Sequence, residues 1–176
     1  MSNVIWITGL SASGKTTLAT DITQSLRASG SPTIMLDGDV LRECLDVKKK
    51  NSRSDRKKLA YTYSRLARML SGQGITVVVG TIALFKEIHV WNRENIKGYF
   101  EVFLDVPIEE LRKRDPKGIY KKYFNGEIQD VAGLDIEVDY PADPHVKISF
   151  SKELSKELIA SKVLSKFIEF KKNDKE

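Results

Sequence analysis

Residues 9–16 constrain the fold of this chain more than any other segment, since they read Gly-Leu-Ser-Ala-Ser-Gly-Lys-Thr. This is the pattern Gly-x-x-x-x-Gly-Lys-Ser/Thr, in which backbone N–H groups face the phosphates of a nucleoside triphosphate. Lys15 would neutralise the β- and γ-phosphates, and the Thr16 hydroxyl can ligate Mg²⁺. The residues expected to contact the triphosphate are Gly9, Ser11, Ala12, Ser13, Gly14, Lys15, Thr16 and Thr17.

The segments on either side of this loop have the periodicity that the pattern requires. Residues 4–7 form a short apolar run, which is typical of a buried parallel strand. Leu18, Ile22 and Leu26 recur every four residues, which predicts a helix that Ser29-Gly30 ends. Strand, glycine loop and helix therefore follow one another as in a phosphate-binding unit.

Strands and helices alternate along the rest of the chain. We predict further strands at 33–36, 75–79, 99–104 and 146–150, and helices at 54–71, 86–95 and 108–114. A closing helix is marked by Leu154, Leu158, Val163 and Phe167. The alternation predicts an α/β fold with a five-stranded parallel sheet, helices on both faces and ligands at the carboxyl ends of the strands.

Residues 115–143 are polar and show little periodicity. A stretch of that length in a small domain is more typical of a functional lid than of an idle loop. We expect one domain over residues 1–176, with this segment as its lid.

Composition narrows the class of protein. The 176 residues carry a formal net charge of +5, a single cysteine (Cys44) and no apolar run long enough to span a membrane. With no secretion signal visible, we expect a cytoplasmic protein. The lysines lie in scattered clusters without an RNA-binding motif, which favours anionic small substrates over nucleic acid. His89 and His145 form no metal-binding pattern and are interpreted as ordinary polar residues.

A second group of polar residues, Leu36-Asp37-Gly38-Asp39-Val40-Leu41-Arg42, directly follows the second strand. In a parallel sheet this point lies beside the phosphate loop. One carboxylate can hold Mg²⁺, another can accept the proton of an attacking hydroxyl, and the arginine can bind an anionic acceptor. The alternative is an Asp-Gly turn that caps the next helix. We predict Asp37 and Asp39, together with Lys15, as catalytic residues, and Asp37, together with Thr16, as the ligands of Mg²⁺.

The two motifs resemble those of the adenylylsulfate kinase family. The resemblance extends to Arg114-Asp115-Pro116-Lys117-Gly118-Ile119-Tyr120-Lys121-Lys122, to Gly126-Glu127-Ile128 and to Gly133-Leu134-Asp135, and it covers about residues 4–148. Such enzymes have the P-loop NTPase fold, are usually dimers, and transfer the γ-phosphate of ATP, with Mg²⁺, to the ribose 3′-hydroxyl of adenylylsulfate. The resemblance implies that Asp39 orients or deprotonates the hydroxyl and that Arg42 and Arg56 hold the phosphate end of the acceptor. It also implies that Lys117 contacts the acceptor and that Arg112 and Arg114 cover ATP.

The chain departs from the family in the acceptor pocket. Asn51 and Val131 stand where the family has aromatic residues that sandwich adenine, and Leu59 replaces an asparagine. The family's Ile-Ser-Pro reads Ile82-Ala83-Leu84. Lost stacking costs about 1–3 kcal/mol per base in related settings, whereas Asn51 could pair with the edge of a smaller base. The acceptor-binding set is predicted to be Asp39, Arg42, Asn51, Arg56, Ile82, Ala83, Lys117 and Val131.

Two acceptors stay open. The pattern of change favours another 5′-substituted nucleotide, as in the cytidine diphosphoramidate kinases of capsule modification, and adenylylsulfate is the competing acceptor. A GTPase switch would need Asn-Lys-x-Asp, which the chain lacks. A kinase of a sugar or shikimate is disfavoured by the lid motifs, and an RNA-end kinase is suggested only by the charge.

Overall fold

The computed structural model describes residues 3–47 and 52–173. The strands are β1 (Val4–Thr8), β2 (Thr33–Asp37), β3 (Thr76–Gly80), β4 (Tyr99–Asp105) and β5 (Val146–Ser149). The helices are α1 (Lys15–Ala28), α2 (Gly38–Cys44), α3 (Arg53–Ser71), α4 (Lys86–Asn95), α5 (Ile108–Arg114), α6 (Ile119–Phe124) and α7 (Lys156–Asn173).

The five strands form one sheet in the order β2-β3-β1-β4-β5, and every neighbouring pair is parallel. The predicted α/β fold is therefore confirmed. β1 lies at the centre and its five residues are all buried, which explains why it reads as an uninterrupted apolar run.

The alternation of side chains in β1 divides the core between the two faces of the sheet. Ile5 and Ile7 pack with Leu18 and Ile22 of α1 and with α7, whereas Val4 and Trp6 pack with α3 and α4. A third apolar cluster lies between the phosphate loop and the lid segment. Helices thus cover both faces, and the carboxyl ends of the strands stay open for a site.

Two local features differ from the sequence prediction. The helix α6 was not expected, because it spans only six residues and shows too few turns for a periodic pattern. The seven-residue α2 is the helix that the Asp-Gly alternative described, with Asp37 as its N-cap. Leu154 precedes α7, and Leu158 is exposed on it, while Val163 and Phe167 are buried.

Within the described residues, no helix combines the length and the apolar character needed to cross a membrane.

Candidate active site

The loop between β1 and α1 needs glycine at both ends. A Cβ on Gly9 would lie 2.8 Å from the carbonyl oxygen of Leu104, since the loop leaves β1 against the end of β4. Gly14 has φ 97° immediately before α1, a left-handed conformation that glycine adopts without strain. The loop therefore turns back on itself and exposes the N-terminus of α1, as a phosphate cradle requires.

Lys15 is the first residue of α1, and its ammonium group curls back over the loop. Nζ donates to the carbonyl oxygen of Leu10 at 2.6 Å and lies 3.4 Å from Ser13 Oγ. Burial lowers the pKa of Lys15 to about 7, and repulsion from Lys117 acts in the same direction. An anionic phosphate group at this point would favour the charged form and restore the pKa.

Asp37 joins the phosphate loop to the end of β2. One of its carboxylate oxygens accepts from the Thr16 hydroxyl at 2.7 Å, and the other accepts from the backbone N–H of Asp39 at 2.8 Å. The sequence left two roles for Asp37, as the cap of a helix and as a ligand of Mg²⁺. Because each role uses a different carboxylate oxygen, Asp37 can fill both. No group of three or more potential protein metal ligands of the His, Cys, Asp or Glu type occurs among the described residues.

This donor set fits Mg²⁺ bound with a nucleotide. Magnesium is usually held by one or two protein oxygens together with phosphate oxygens and water. Thr16 Oγ1 and Asp37 Oδ2 supply such oxygens side by side at the N-terminus of α1.

Asp39 lies in the first turn of α2 and pairs with two cations. Its carboxylate forms ion pairs with Arg42 of the same helix and with Lys117, a residue 78 positions further along the chain. All three side chains are about half-exposed. The structure thus brings Lys117 of the lid segment to Asp39 and Arg42, two predicted site residues that are distant from it in the sequence.

The lid segment packs directly on the phosphate loop. The Tyr120 hydroxyl of α6 donates to the carbonyl oxygen of Ser11 at 3.0 Å. Leu10, Tyr120, Val131 and Ala132 share the apolar cluster between loop and lid. The guanidinium of Arg112 lies over the ring of Phe124 at 4.0 Å and that of Arg114 lies over Phe150 at 5.1 Å. Their contact with ATP stays a prediction.

A mainly apolar pocket opens between α3, the loop after β3 and the lid. Its lining residues are Arg42, Arg56, Leu59, Ala60, Tyr63, Thr81, Ile82, Ala83, Leu84, Phe85, Ala132, Ile136 and Val138. The two arginines are its charged members, and Arg56 donates to the carbonyl oxygen of Asp130 in the lid at 2.7 Å. This pocket lies beside Asp39, since Arg42 belongs to both.

Arg42, Arg56, Ile82 and Ala83 of the predicted acceptor set line this pocket, whereas Asp39, Lys117 and Val131 do not. Val131 is buried in the cluster between loop and lid, and its neighbour Ala132 reaches the pocket instead. Asn51 lies outside the described residues. The contact of Val131 and Asn51 with a base stays a prediction.

A buried charge cluster went unnoticed in the sequence. Glu101 of β4 is fully buried and accepts from His89, Arg93 and Tyr99. The signal that could have found it was a glutamate inside an apolar strand, because such a residue is almost never buried without partners.

Comparison with known proteins agrees with this geometry. The family model described as adenylylsulphate kinase matches residues 1–149. A cytidine diphosphoramidate kinase from Campylobacter jejuni is 41% identical over 138 residues, covering 78% of this chain and 81% of the relative. An adenylyl-sulfate kinase from a Synechococcus species is 36% identical and covers 88% of each chain.

A solved structure of an adenylylsulfate kinase has the same fold as this chain. The Mycobacterium tuberculosis adenylylsulfate kinase in complex with AMPPNP and APS superposes with a TM-score of 0.87 at 32% identity, over 96% of this chain and 98% of that one. The expected P-loop NTPase fold and the expected phosphotransferase class are confirmed by these likenesses. The chain therefore belongs to the adenylylsulphate kinase family.

Proposed function

We propose that this kinase transfers the γ-phosphate of ATP to the ribose 3′-hydroxyl of a 5′-substituted nucleotide, and that the nucleotide is cytidine diphosphoramidate. The observation that carries the proposal is the position of Asp39. On one side, the backbone N–H of Asp39 donates to Asp37, which also accepts from Thr16 beside the phosphate loop. On the other side, the Asp39 carboxylate pairs with Arg42, which lines the apolar pocket. A carboxylate at that point can meet a hydroxyl that enters from the pocket.

The residues have distinct tasks in this reaction. ATP with Mg²⁺ supplies the phosphoryl group, for which Lys15, Thr16 and Asp37 form the binding site. Asp39 accepts the proton of the 3′-hydroxyl. The ribose 3′-oxygen bonds to the γ-phosphorus as the bond between this phosphorus and ADP breaks. Lys117 and Arg42 hold Asp39 and the acceptor's anionic end. The lid excludes water, which would otherwise take the phosphoryl group.

The pocket supports an acceptor other than adenylylsulfate. Leu59 and Ala83 line it where the resembling family has asparagine and serine, so two polar contacts are replaced by apolar surface. A relative that is 41% identical bears the name cytidine diphosphoramidate kinase. The alternative acceptor is adenylylsulfate, which several relatives at 33–38% identity are named for.

A panel of acceptors tests the proposal. The protein is incubated with ATP, Mg²⁺ and, in turn, cytidine diphosphoramidate, adenylylsulfate, simple nucleoside diphosphates and shikimate, with products followed by phosphorus NMR. We expect the highest kcat/KM with cytidine diphosphoramidate and a new 3′-phosphate resonance. A higher kcat/KM with adenylylsulfate would select the alternative, and turnover of shikimate alone would reject a nucleotide acceptor.

Restoring the family's polar residues tests the pocket itself. The double variant Leu59→Asn with Ala83→Ser should shift the ratio of kcat/KM toward adenylylsulfate by roughly 30-fold, since each of the two buried hydrogen bonds is worth about 1 kcal/mol. Thr62→Asn, an exposed change on the same helix, is the control. An unchanged ratio in the double variant would remove both positions from acceptor selection.

The same proposal includes a homodimer, a cytoplasmic location and one kinase domain over residues 1–176 with its lid at about 115–143. Nucleic acid and membranes are not partners in it. Light scattering of the purified protein measures its oligomeric state directly. RNA binding that weakens with salt would contradict the proposal that the substrates are small molecules and not nucleic acid.

A further inference from the structure

His89 of α4 connects β4 of the sheet to the end of the lid segment. Its Nδ1 lies 2.8 Å from Oε1 of Glu101, and its Nε2 lies 3.2 Å from the carbonyl oxygen of Asp139. The histidine is 6% exposed and Glu101 is fully buried. The two contacts therefore form inside the protein, with little competition from water.

Both partners of this histidine act as acceptors. A peptide carbonyl oxygen cannot donate. Burial acts to raise the pKa of Glu101, but hydrogen bonds and charge from His89, with Arg93 and Tyr99, outweigh it and lower the pKa, so Glu101 is a carboxylate. A neutral imidazole has one N–H and would present a lone pair to one of the two oxygens. Both contacts are satisfied only when His89 carries a proton on each nitrogen.

The segment held by His89 forms part of the pocket wall. Ile136 and Val138 line the pocket, and the N–H of Asp139 donates to the carbonyl oxygen of Leu84, another lining residue, at 3.0 Å. The Asp139 carboxylate accepts from Arg53 at 2.9 Å and from the N–H of Lys86 at 3.2 Å. Asp139 is thus the point where the lid segment joins α3, α4 and the sheet.

We propose that His89, as an imidazolium, is a positioning residue for the acceptor. By donating to Glu101 and Asp139 together, it fixes the wall formed by Ile136 and Val138, and losing either contact loosens this wall and weakens acceptor binding. The kinetic part of this inference rests on the proposed function, whereas the protonation and the fixed wall do not.

The other charged groups around the cluster leave this role to His89. Burial raises the pKa of Tyr99 well above its ordinary value, so Tyr99 stays neutral. Burial, and then Arg93, lower the pKa of His145, whose Nδ1 accepts from the N–H of Glu101 at 3.0 Å and therefore carries no proton. Arg93 also binds the carbonyl oxygen of Asp143, while Arg53 and Lys86 face the Asp139 carboxylate.

The first experiment uses the free protein and needs no acceptor. In ¹⁵N-labelled protein near neutral pH, we expect both ring nitrogens of His89 to carry protons, with His145 in a neutral tautomer. In His89→Gln, the amide of Asp139 should exchange with solvent roughly tenfold faster. The neutral side-chain amide of glutamine donates a weaker hydrogen bond than a cation does, so the segment around Asp139 is held less firmly. His145→Gln is the matched control and should leave that exchange unchanged.

The second experiment separates a positioning role from a structural one. His89→Gln should raise the acceptor KM, measured at saturating ATP, about tenfold. The KM for ATP, measured at saturating acceptor, should change little. His89→Arg, which keeps a positive charge and N–H donors, should recover part of the affinity for the acceptor.

The outcomes decide between the alternatives. A single protonated nitrogen on His89, or equal exchange at Asp139 in both glutamine variants, would overturn the inference. So would an acceptor KM that His89→Gln leaves unchanged. If no nucleotide in the panel is phosphorylated, the proposed function fails, while the NMR and exchange results still decide the state of His89.

Discussion

At the scale of single residues, Asp37 shows how one side chain can satisfy two demands. Its carboxylate caps α2 through the N–H of Asp39 and also accepts from Thr16 beside the phosphate loop. Because the cap fixes the rotamer, the second oxygen is held toward the magnesium position before any nucleotide binds. Local helix capping therefore contributes to the geometry of the site.

Lys15 leads to a prediction about protons. Its pKa is lowered to about 7 by burial and then by Lys117, so the free protein at pH 7 carries a fraction of it uncharged. ATP favours the charged form, and binding should take up about half a proton at that pH, declining as pH falls. Calorimetry in buffers of different ionisation enthalpy measures the uptake.

Lys15→Arg is the control, since arginine is charged throughout and should show no uptake. Equal uptake in the wild type and this variant would assign the proton to another group. Lys15→Ala should reduce turnover by at least about 100-fold, because the charge on the transferred phosphate is then uncompensated.

Asp39 leads to a prediction about chemistry. Asp39→Asn should reduce kcat by at least about 100-fold, the usual contribution of a general base. The fold should persist, since this side chain is half-exposed and its two ion pairs are at the surface. Turnover and circular dichroism are measured on the same preparation, and near-normal turnover would remove Asp39 from the reaction.

At the scale of elements, the short helix α6 ties the lid to the phosphate loop. Its Tyr120 is buried, and the ring packs in the same cluster as Leu10 while the hydroxyl reaches Ser11. A hydrogen bond to the loop backbone can transmit the position of the lid to the triphosphate, so we expect lid and loop to order together.

Tyr120→Phe tests that coupling. It removes one hydrogen bond and keeps the packing, which should cost about 1 kcal/mol, or roughly fivefold in the KM for ATP. Amide exchange in α6 should accelerate in parallel. Tyr123→Phe, on the same helix, is the matched control, and an equal rise of the KM in both variants would argue against a specific tie to the loop.

At the scale of the whole molecule, Glu101 connects both the sheet and the covering elements. It binds His89 and Arg93 of α4 through its side chain and His145, near β5, through its backbone. Removing one member of a buried ion pair leaves its partners uncompensated and typically costs about 3–5 kcal/mol.

Glu101→Gln should therefore lower the Tm by roughly 10 °C, from the usual shift per kcal/mol for a chain of this size. Glu169→Gln, at the exposed pair with Lys166, should change the Tm little. Because the pKa of Glu101 is lowered, its stabilisation is present above a glutamate's ordinary value and is lost as pH falls through the folded value. Thermal unfolding between about pH 3 and 7 should be steeper in pH for the wild type than for Glu101→Gln.

The sequence alone determined what depends on local pattern. The loop at 9–16, the apolar run of β1 and the four-residue spacing of Leu18, Ile22 and Leu26 predicted the α/β fold and the triphosphate site, because each is decided by nearest neighbours and burial. The polar residues after the second strand pointed to Asp39 and Arg42, and the family resemblance added Lys117; the structure pairs both cations with Asp39.

Only the tertiary structure decided which distant groups meet. The pairing of Asp39 with Lys117, the tie from Tyr120 to Ser11 and the bridge from Glu101 through His89 to Asp139 join residues 12 to 109 positions apart. Val131 and Ala132 are neighbours in sequence, yet one faces the loop cluster and the other the pocket. Such contacts arise from how helices and loops pack on the sheet, and no local spacing specifies them.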